Sequence, residues 1–190
     1  ENTVDVVMAK EMARNAIWAT LLASLFIAIY VVIRFEWRFA IAGIISVLHD
    51  AFIVVSVFAI LRLEVNLPFV AAILTVIGYS INDRIVIFDR IRENLRFAKL
   101  KTFDDVARLT NESIKQVLTR TVNTVVMVLF TSVALMVFGS DSIRLFSLAI
   151  TIGLVAGVYS SIFIASPMWT LLKYRSMKSK SKRIAAAAKE

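Results

Sequence analysis

The chain has no cysteine, one histidine, two prolines and five glycines among its 190 residues. Without cysteine there is no disulfide framework and no thiol chemistry. A single imidazole, His49, argues against a zinc site built from this chain alone. No Gly-rich phosphate loop and no nucleophile–base set is visible, which argues against an enzyme in the bond-breaking sense. With so few glycines and prolines, little in the sequence would break a long helix. A signal-peptide pattern is also missing: a polar stretch from Glu1 to Asn15 runs straight into hydrophobic sequence. That start is expected of a fragment of a longer chain, cut in an extramembrane region.

What is abundant is apolar residues. They make up 59% of the chain, and the mean hydropathy is +0.78, against about 45–50% apolar in soluble domains. The composition predicts an all-α, polytopic membrane helix bundle. Five hydrophobic segments fall at 16–33, 39–61, 68–88, 120–138 and 145–172, each long enough to be a membrane-span candidate. Residues 1–15 would end an extracytoplasmic segment, 89–119 would be a cytoplasmic connection, and 173–190 a cytoplasmic basic tail, disordered in its last dozen residues. Pro68 suits the first turn of the third span. In the connection, Arg90 to Lys101 should continue that span into water. Thr102-Phe-Asp-Asp105 has the form of a capping box. It leads an amphipathic helix that either lies at the membrane surface or forms a solvated helix hairpin. The last segment is too long to stand upright and should tilt or emerge. Gly153 and Gly157 in it have the spacing that lets another helix approach closely.

The net charge of +8 could suggest nucleic acid, but the placement of the charges argues otherwise. Arg34–Arg38, the connection up to Arg120 and the tail together hold seventeen of the 22 Lys and Arg. Lys10, Arg14, Arg62 and Arg144 lie on the other side, and Arg84 lies within a span. By the positive-inside rule the N-terminus is outside and the C-terminus cytoplasmic. Basic segments on the inner face would meet anionic lipid headgroups.

Several polar groups fall inside these spans. An ionised Asp at a helix centre costs roughly 2.5–3.5 kcal/mol on insertion scales, so something must offset Asp83. Its side chain is too short to reach the interface. Either it makes an assembly hydrogen bond or it is an ionisable group in a proton relay. Asp50 is expected near the midplane, as a packing carboxyl or a relay member. Its neighbour His49 should point at a different partner, because adjacent residues on a helix do not face each other. Arg84, about one turn from the end of its span, should snorkel to the interface. Arg120 is either a simple positive-inside anchor or the counter-ion of Asp83 across helices three and four. Arg120, Thr124 and Thr131 share a face, with Asn123 beside them, and Asn82 adjoins Asp83.

Taken together, Arg34-Phe-Glu-Trp-Arg38, Leu48-His-Asp50, Val76-Ile-Gly-Tyr-Ser-Ile-Asn-Asp83, Asp89-Arg-Ile-Arg-Glu-Asn94 and Thr119-Arg-Thr121 resemble the SecF family. SecF is the second half of the SecDF protein-export accessory, within the resistance–nodulation–division (RND) superfamily. The resemblance implies the last five helices of an RND-type six-helix half-bundle in the bacterial cytoplasmic membrane. It implies coupling of proton flow to preprotein translocation or release on the outer side, with protons as the coupling ion and no cofactor. It implies the SecD half, fused or separate, the SecYEG channel and the YajC/YidC accessory proteins as partners. The family's essential membrane Asp falls on Asp83 and its essential Arg on Arg120. Asp50 matches a recurrent His-Asp, and a further essential Asp belongs to the SecD half. The rival readings are an RND exporter half for lipids or drugs and a non-conducting assembly subunit of the translocon.

Overall fold

The computed structural model describes the backbone of residues 2–34 and 36–187; the side chains of 180–187 and part of the first helix lie outside that description. Among the described residues all regular structure is helical: α1 (Asn2–Arg34), α2 (Trp37–Ile60), α3 (Leu67–Leu95), α4 (Phe103–Phe138), α5 (Asp141–Ser160), a π-helical segment Ser161–Ala165, and α6 (Ser166–Ala187). Four runs among these residues are long and apolar enough to cross a membrane: Trp37–Ile60, Leu67–Leu95, Phe103–Phe138 and the continuous Asp141–Ser179. The expected first span, 16–33, lies on α1, whose side chains are described only in part. The chain is a multi-pass, all-α membrane helix bundle.

Local sequence explains where these helices begin and end. Helix α2 closes with Arg62 at φ 53, while Leu63 N–H bonds the Phe58 carbonyl at 3.0 Å and Arg62 N–H bonds that of Ala59 at 3.2 Å. This is a Schellman closure with arginine in the left-handed position where glycine is usual. Asn66 caps α3, its side chain accepting from Phe69 N–H at 3.1 Å, with Pro68 in the first turn. That helix ends at Leu95 rather than running on to Lys101. Ala98 and Leu100 of the following link turn back onto the core, which a continued helix would not allow.

The Thr102 capping box is complete: Thr102 Oγ1 accepts from Asp105 N–H at 3.2 Å, and Asp105 accepts from Thr102 N–H at 2.9 Å. The helix it starts is not a separate element. Residues 103–138 form one straight-through helix that includes the fourth span, because neither Gly nor Pro interrupts 103–138. Its first turns pair with the end of α3, where Asn94 donates to Ser113 at 2.8 Å and Arg90 to Gln116 at 2.5 Å. This region therefore pairs with the end of α3 as a helix hairpin.

The last span emerges as a long helix through α6. The expected disordered tail is replaced by helical backbone to Ala187, consistent with its run of Ala, Lys and Arg, all good helix formers. The π segment precedes Pro167, which has no N–H to return to the Phe163 carbonyl and whose ring would clash there. Widening the helix relieves that contact, and Ser166 Oγ donates to the Ser161 carbonyl at 2.8 Å instead.

Two apolar clusters fill the bundle. One holds Phe39, Phe88, Ile91, Val106 and Trp169, with Phe39 stacked on Trp169 at 4.9 Å. The other holds Val47, Val54, Phe58, Phe69 and Ile73. Between them α2, α3 and α5 contribute a buried polar layer. Arg38 donates to Ser176 at 2.5 Å and Lys173 approaches Glu36 at 3.4 Å, while Phe103 packs edge-on against Tyr174 at 5.5 Å. The three basic segments thus meet at one end of the bundle.

Candidate functional site

The buried polar layer is centred on Arg84. It does not snorkel: the residue is 0% exposed, and its fork is occupied from three helices. It donates to Ser46 at 2.7 and 3.0 Å and to Asp50 at 2.5 Å on α2, to Ser80 at 2.5 Å on α3, and to Ser160 at 2.7 Å on α5. Four acceptors inside the bundle offer the guanidinium more than one turn of climb to the interface would. Asp50, also 0% exposed, accepts from Arg84 and from Ser80 Oγ through Oδ2. Its Oδ1 lies 3.3 Å from His49 Nδ1, so the expectation that His49 and Asp50 would aim apart is corrected. The His49 side chain is 31% exposed. A buried charge pair holds only when its remaining lone pairs and protons are also bonded; here three serines and an imidazole do that.

The glycine stripe of α5 makes this geometry possible. A Cβ on Gly153 would overlap the Val76 side chain, and one on Gly157 would fall 2.9 Å from Ser80 Oγ and 3.7 Å from Asp50 Oδ2. The glycines therefore bring α5 against α3 beside the ion pair, close enough for Ser160 to reach Arg84.

Asp83, the next residue back along α3, is 5% exposed but lies outside the network. Among the described residues it makes no hydrogen bond and no ion pair within 4 Å. Tyr79 marks its level: the tyrosine hydroxyl reaches the Thr124 carbonyl of α4 at 3.5 Å. Asp83 is one turn beyond Tyr79, and Arg120 one turn before Thr124 on an antiparallel helix. Asp83 and Arg120 are therefore level. The direct Asp83–Arg120 pair expected from sequence is not formed. Arg120 is exposed and borders a cavity of about 560 Å³ with Asp89, Arg90, Glu93 and Gln116. Those polar groups give its guanidinium a wetter place than the helix interface.

The other singled-out residues lie around this core. Asn82, Asn123, Thr124 and Thr131 are exposed. Thr124 Oγ1 donates to the Arg120 carbonyl at 2.8 Å and Thr131 Oγ1 to that of Met127 at 3.3 Å, so this stripe faces outward and bonds its own helix. Sequence reasoning missed Ser46, Ser80 and Ser160. Two of them carried a signal: Ser46–Asp50 and Ser80–Arg84 are i,i+4 pairs, which share a helix face.

These features define a helical membrane protein with a buried charge pair and, among the described residues, a second buried carboxyl outside that pair. The chain belongs to the family described as protein export membrane protein SecD/SecF, C-terminal, which matches residues 1–175. It is 56% identical over 177 residues to the protein translocase subunit SecF of Alicyclobacillus acidocaldarius, covering 93% of this chain and 58% of that protein. It is 51% identical over 180 residues to the protein translocase subunit SecDF of Bacillus subtilis, covering 95% of this chain and 24% of that one. The crystal structure of SecDF in a super-membrane-facing form matches with TM-score 0.81 at 41% identity, over 91% of this chain and 23% of that one. A second SecDF crystal structure, of a translocon-associated membrane protein from Thermus thermophilus, matches with TM-score 0.79 at 42% identity, over 85% of this chain and 22% of that one. The chain thus spans a little over half of its SecF relative and about a quarter of SecDF.

Proposed function

We propose that this chain is the membrane part of a SecF subunit that couples proton flow to preprotein translocation and release on the outer face of the bacterial cytoplasmic membrane. The observation that carries the reading is Asp83: a largely buried carboxyl, 5% exposed, inside an apolar helix, with no hydrogen bond and no contacting cation among the described residues. Such a group can take up and release a proton, which a carboxylate locked in an ion pair cannot do readily. Arg120, level with it on α4, is the charge that responds. While Asp83 is ionised it attracts Arg120; once Asp83 is protonated, that attraction ends and the guanidinium turns toward the polar cavity. Helix α4 then has two positions chosen by one proton, and the membrane potential contributes about 2.3 kcal/mol per charge per 100 mV to that choice.

The proton is the coupling ion, and no cofactor takes part. The SecD half supplies a further carboxylate, and the complex works beside SecYEG with YajC/YidC accessory proteins and the preprotein. The N-terminus of this chain lies outside and its basic end lies in the cytoplasm against anionic lipid; nucleic acid is not a partner. The test is export into sealed vesicles with and without a proton gradient, comparing wild type and Asp83→Asn in the full-length protein. The gradient should stimulate only the wild type. Equal stimulation of both would favour a non-conducting assembly subunit, a reading to which the fully bonded Asp50–Arg84 pair lends support.

A further inference from the structure

We propose that Asp50 is a positioning residue for Asp83: by holding the Arg84 guanidinium against α2 and α5, it keeps that cation off Asp83 and leaves the carboxyl free to carry a proton. This rests on the reading of Asp83 as the proton carrier and adds the part that keeps it available.

Two buried carboxylates compete for one buried guanidinium. Arg84 is the one arginine among the described residues that is closed off from solvent, and it adjoins Asp83 on the buried side of α3. Every hydrogen bond it makes goes to the Asp50 side. The groups around it are Ser46 and Asp50 from α2, Ser80 and Asp83 from α3, and Ser160 from α5. Those around Asp83 are Tyr79 and Arg84 on its own helix and Arg120 from α4. Asp50 is also held by Ser80 and His49, so its own place does not depend on Arg84 alone.

Remove the charge of Asp50 and Arg84 becomes a buried cation without an anion, which is strongly unfavourable. The three serines cannot neutralise it. The other buried carboxylate among the described residues is Asp83, adjacent in sequence, and the flexible arginine stem can reach toward it. A carboxylate in contact with a guanidinium keeps its charged form, so Asp83 would stop exchanging its proton. The Asp50→Asn defect would thus come from a misplaced cation rather than from a missing contact, and removing the cation as well should reverse it.

The experiment is labelling by dicyclohexylcarbodiimide, which modifies protonated carboxyls in apolar surroundings, of the full-length protein with its SecD half in liposomes. Modified Asp83 is quantified by peptide mass spectrometry, with Asp83→Asn as the blank. Asp83 should label in the wild type and in Asp50→Glu. In Asp50→Asn its labelling should fall about tenfold, the factor for about 1.4 kcal/mol of added pairing. In Asp50→Asn/Arg84→Gln it should return. Undiminished labelling in Asp50→Asn, or a double variant as unreactive as the single, would overturn the proposal. If Asp50→Asn does not accumulate, Arg84→Gln decides: labelling at least as fast as wild type is expected, and slower labelling rejects the idea. An unreactive wild-type Asp83 would instead refute its role as proton carrier, and this inference with it.

Discussion

Arg120 lies level with Asp83 on the neighbouring helix and does not touch it. The Tyr79–Thr124 contact at 3.5 Å sets the register one turn away from each, while the guanidinium is exposed beside Asp89, Arg90 and Glu93. The carboxyl is largely buried and has no contacting partner among the described residues. If Arg120 responds to the charge on Asp83, Arg120→Ala should cut gradient-driven export in vesicles by about tenfold or more, corresponding to about 1.4 kcal/mol. Arg120→Lys should recover only part of it, because a lysine keeps the charge and loses the planar fork. Full activity in Arg120→Ala would leave Arg120 as a membrane anchor.

The α3–α5 contact predicts an asymmetry among glycines. Gly153→Ala places a Cβ on Val76, whereas a methyl at Gly78 would meet nothing within 4 Å. Gly153→Ala should lower the midpoint of thermal unfolding in detergent and the amount of folded protein, in the range of about 1–3 kcal/mol for overpacking. Gly78→Ala should be neutral or stabilising by up to about 1 kcal/mol through helix propensity. Equal melting of the two variants would show that α5 does not pack tightly on α3.

The absence of native cysteine makes topology directly measurable. Single cysteines at Asn66 and Asp141 should react with an impermeant maleimide from outside intact cells, and one at Lys101 only after lysis. Labelling of Lys101 from outside would reverse the orientation and undo the charge argument.

The cap of α4 should be sensitive to acid. Backbone hydrogen bonds from Thr102 and Lys101 hold the Asp105 carboxyl below its ordinary value. A carboxyl lowered on folding adds stability above its unfolded value, near about 3.9, and that stability is lost as pH falls through the lower folded value. Amide exchange at 101–106 should therefore quicken, beyond its intrinsic pH dependence, only below about pH 4. Asp105→Asn should abolish the transition, and Thr102→Ala should cost about 1 kcal/mol at neutral pH. A transition unchanged in Asp105→Asn would assign it to another group.

Arg62 offers a gain. It holds a left-handed conformation at φ 53, which costs a residue with a Cβ roughly 1–2 kcal/mol. Arg62→Gly should raise thermal stability by up to about that amount, unless the arginine makes contacts at the interface in lipid. Comparing the unfolding midpoint in detergent and in liposomes separates the two effects.

Much of the architecture could be read from the chain because membrane helices are specified locally. Long apolar runs, Asn66-Leu-Pro68 and Thr102-Phe-Asp-Asp105 each act within a few residues, and the distribution of Lys and Arg groups the basic segments that the structure brings to one end. Continuity was harder to see. The polar first half of α4 looked like a separate element, since hydropathy changes at residue 120 while the backbone hydrogen bonding does not. The partner of each buried charge was decided only by tertiary structure. Asp50 and Arg84 are far apart in sequence, and nothing local says that a glycine stripe on α5 will let Ser160 close on Arg84 or that the guanidinium will turn inward. Asp83 and Arg84 are adjacent letters, and both are buried. Which of them is paired and which is left open depends on the acceptors that α2 and α5 place on one side of α3, because an ion inside an apolar bundle goes where its hydrogen bonds can be completed.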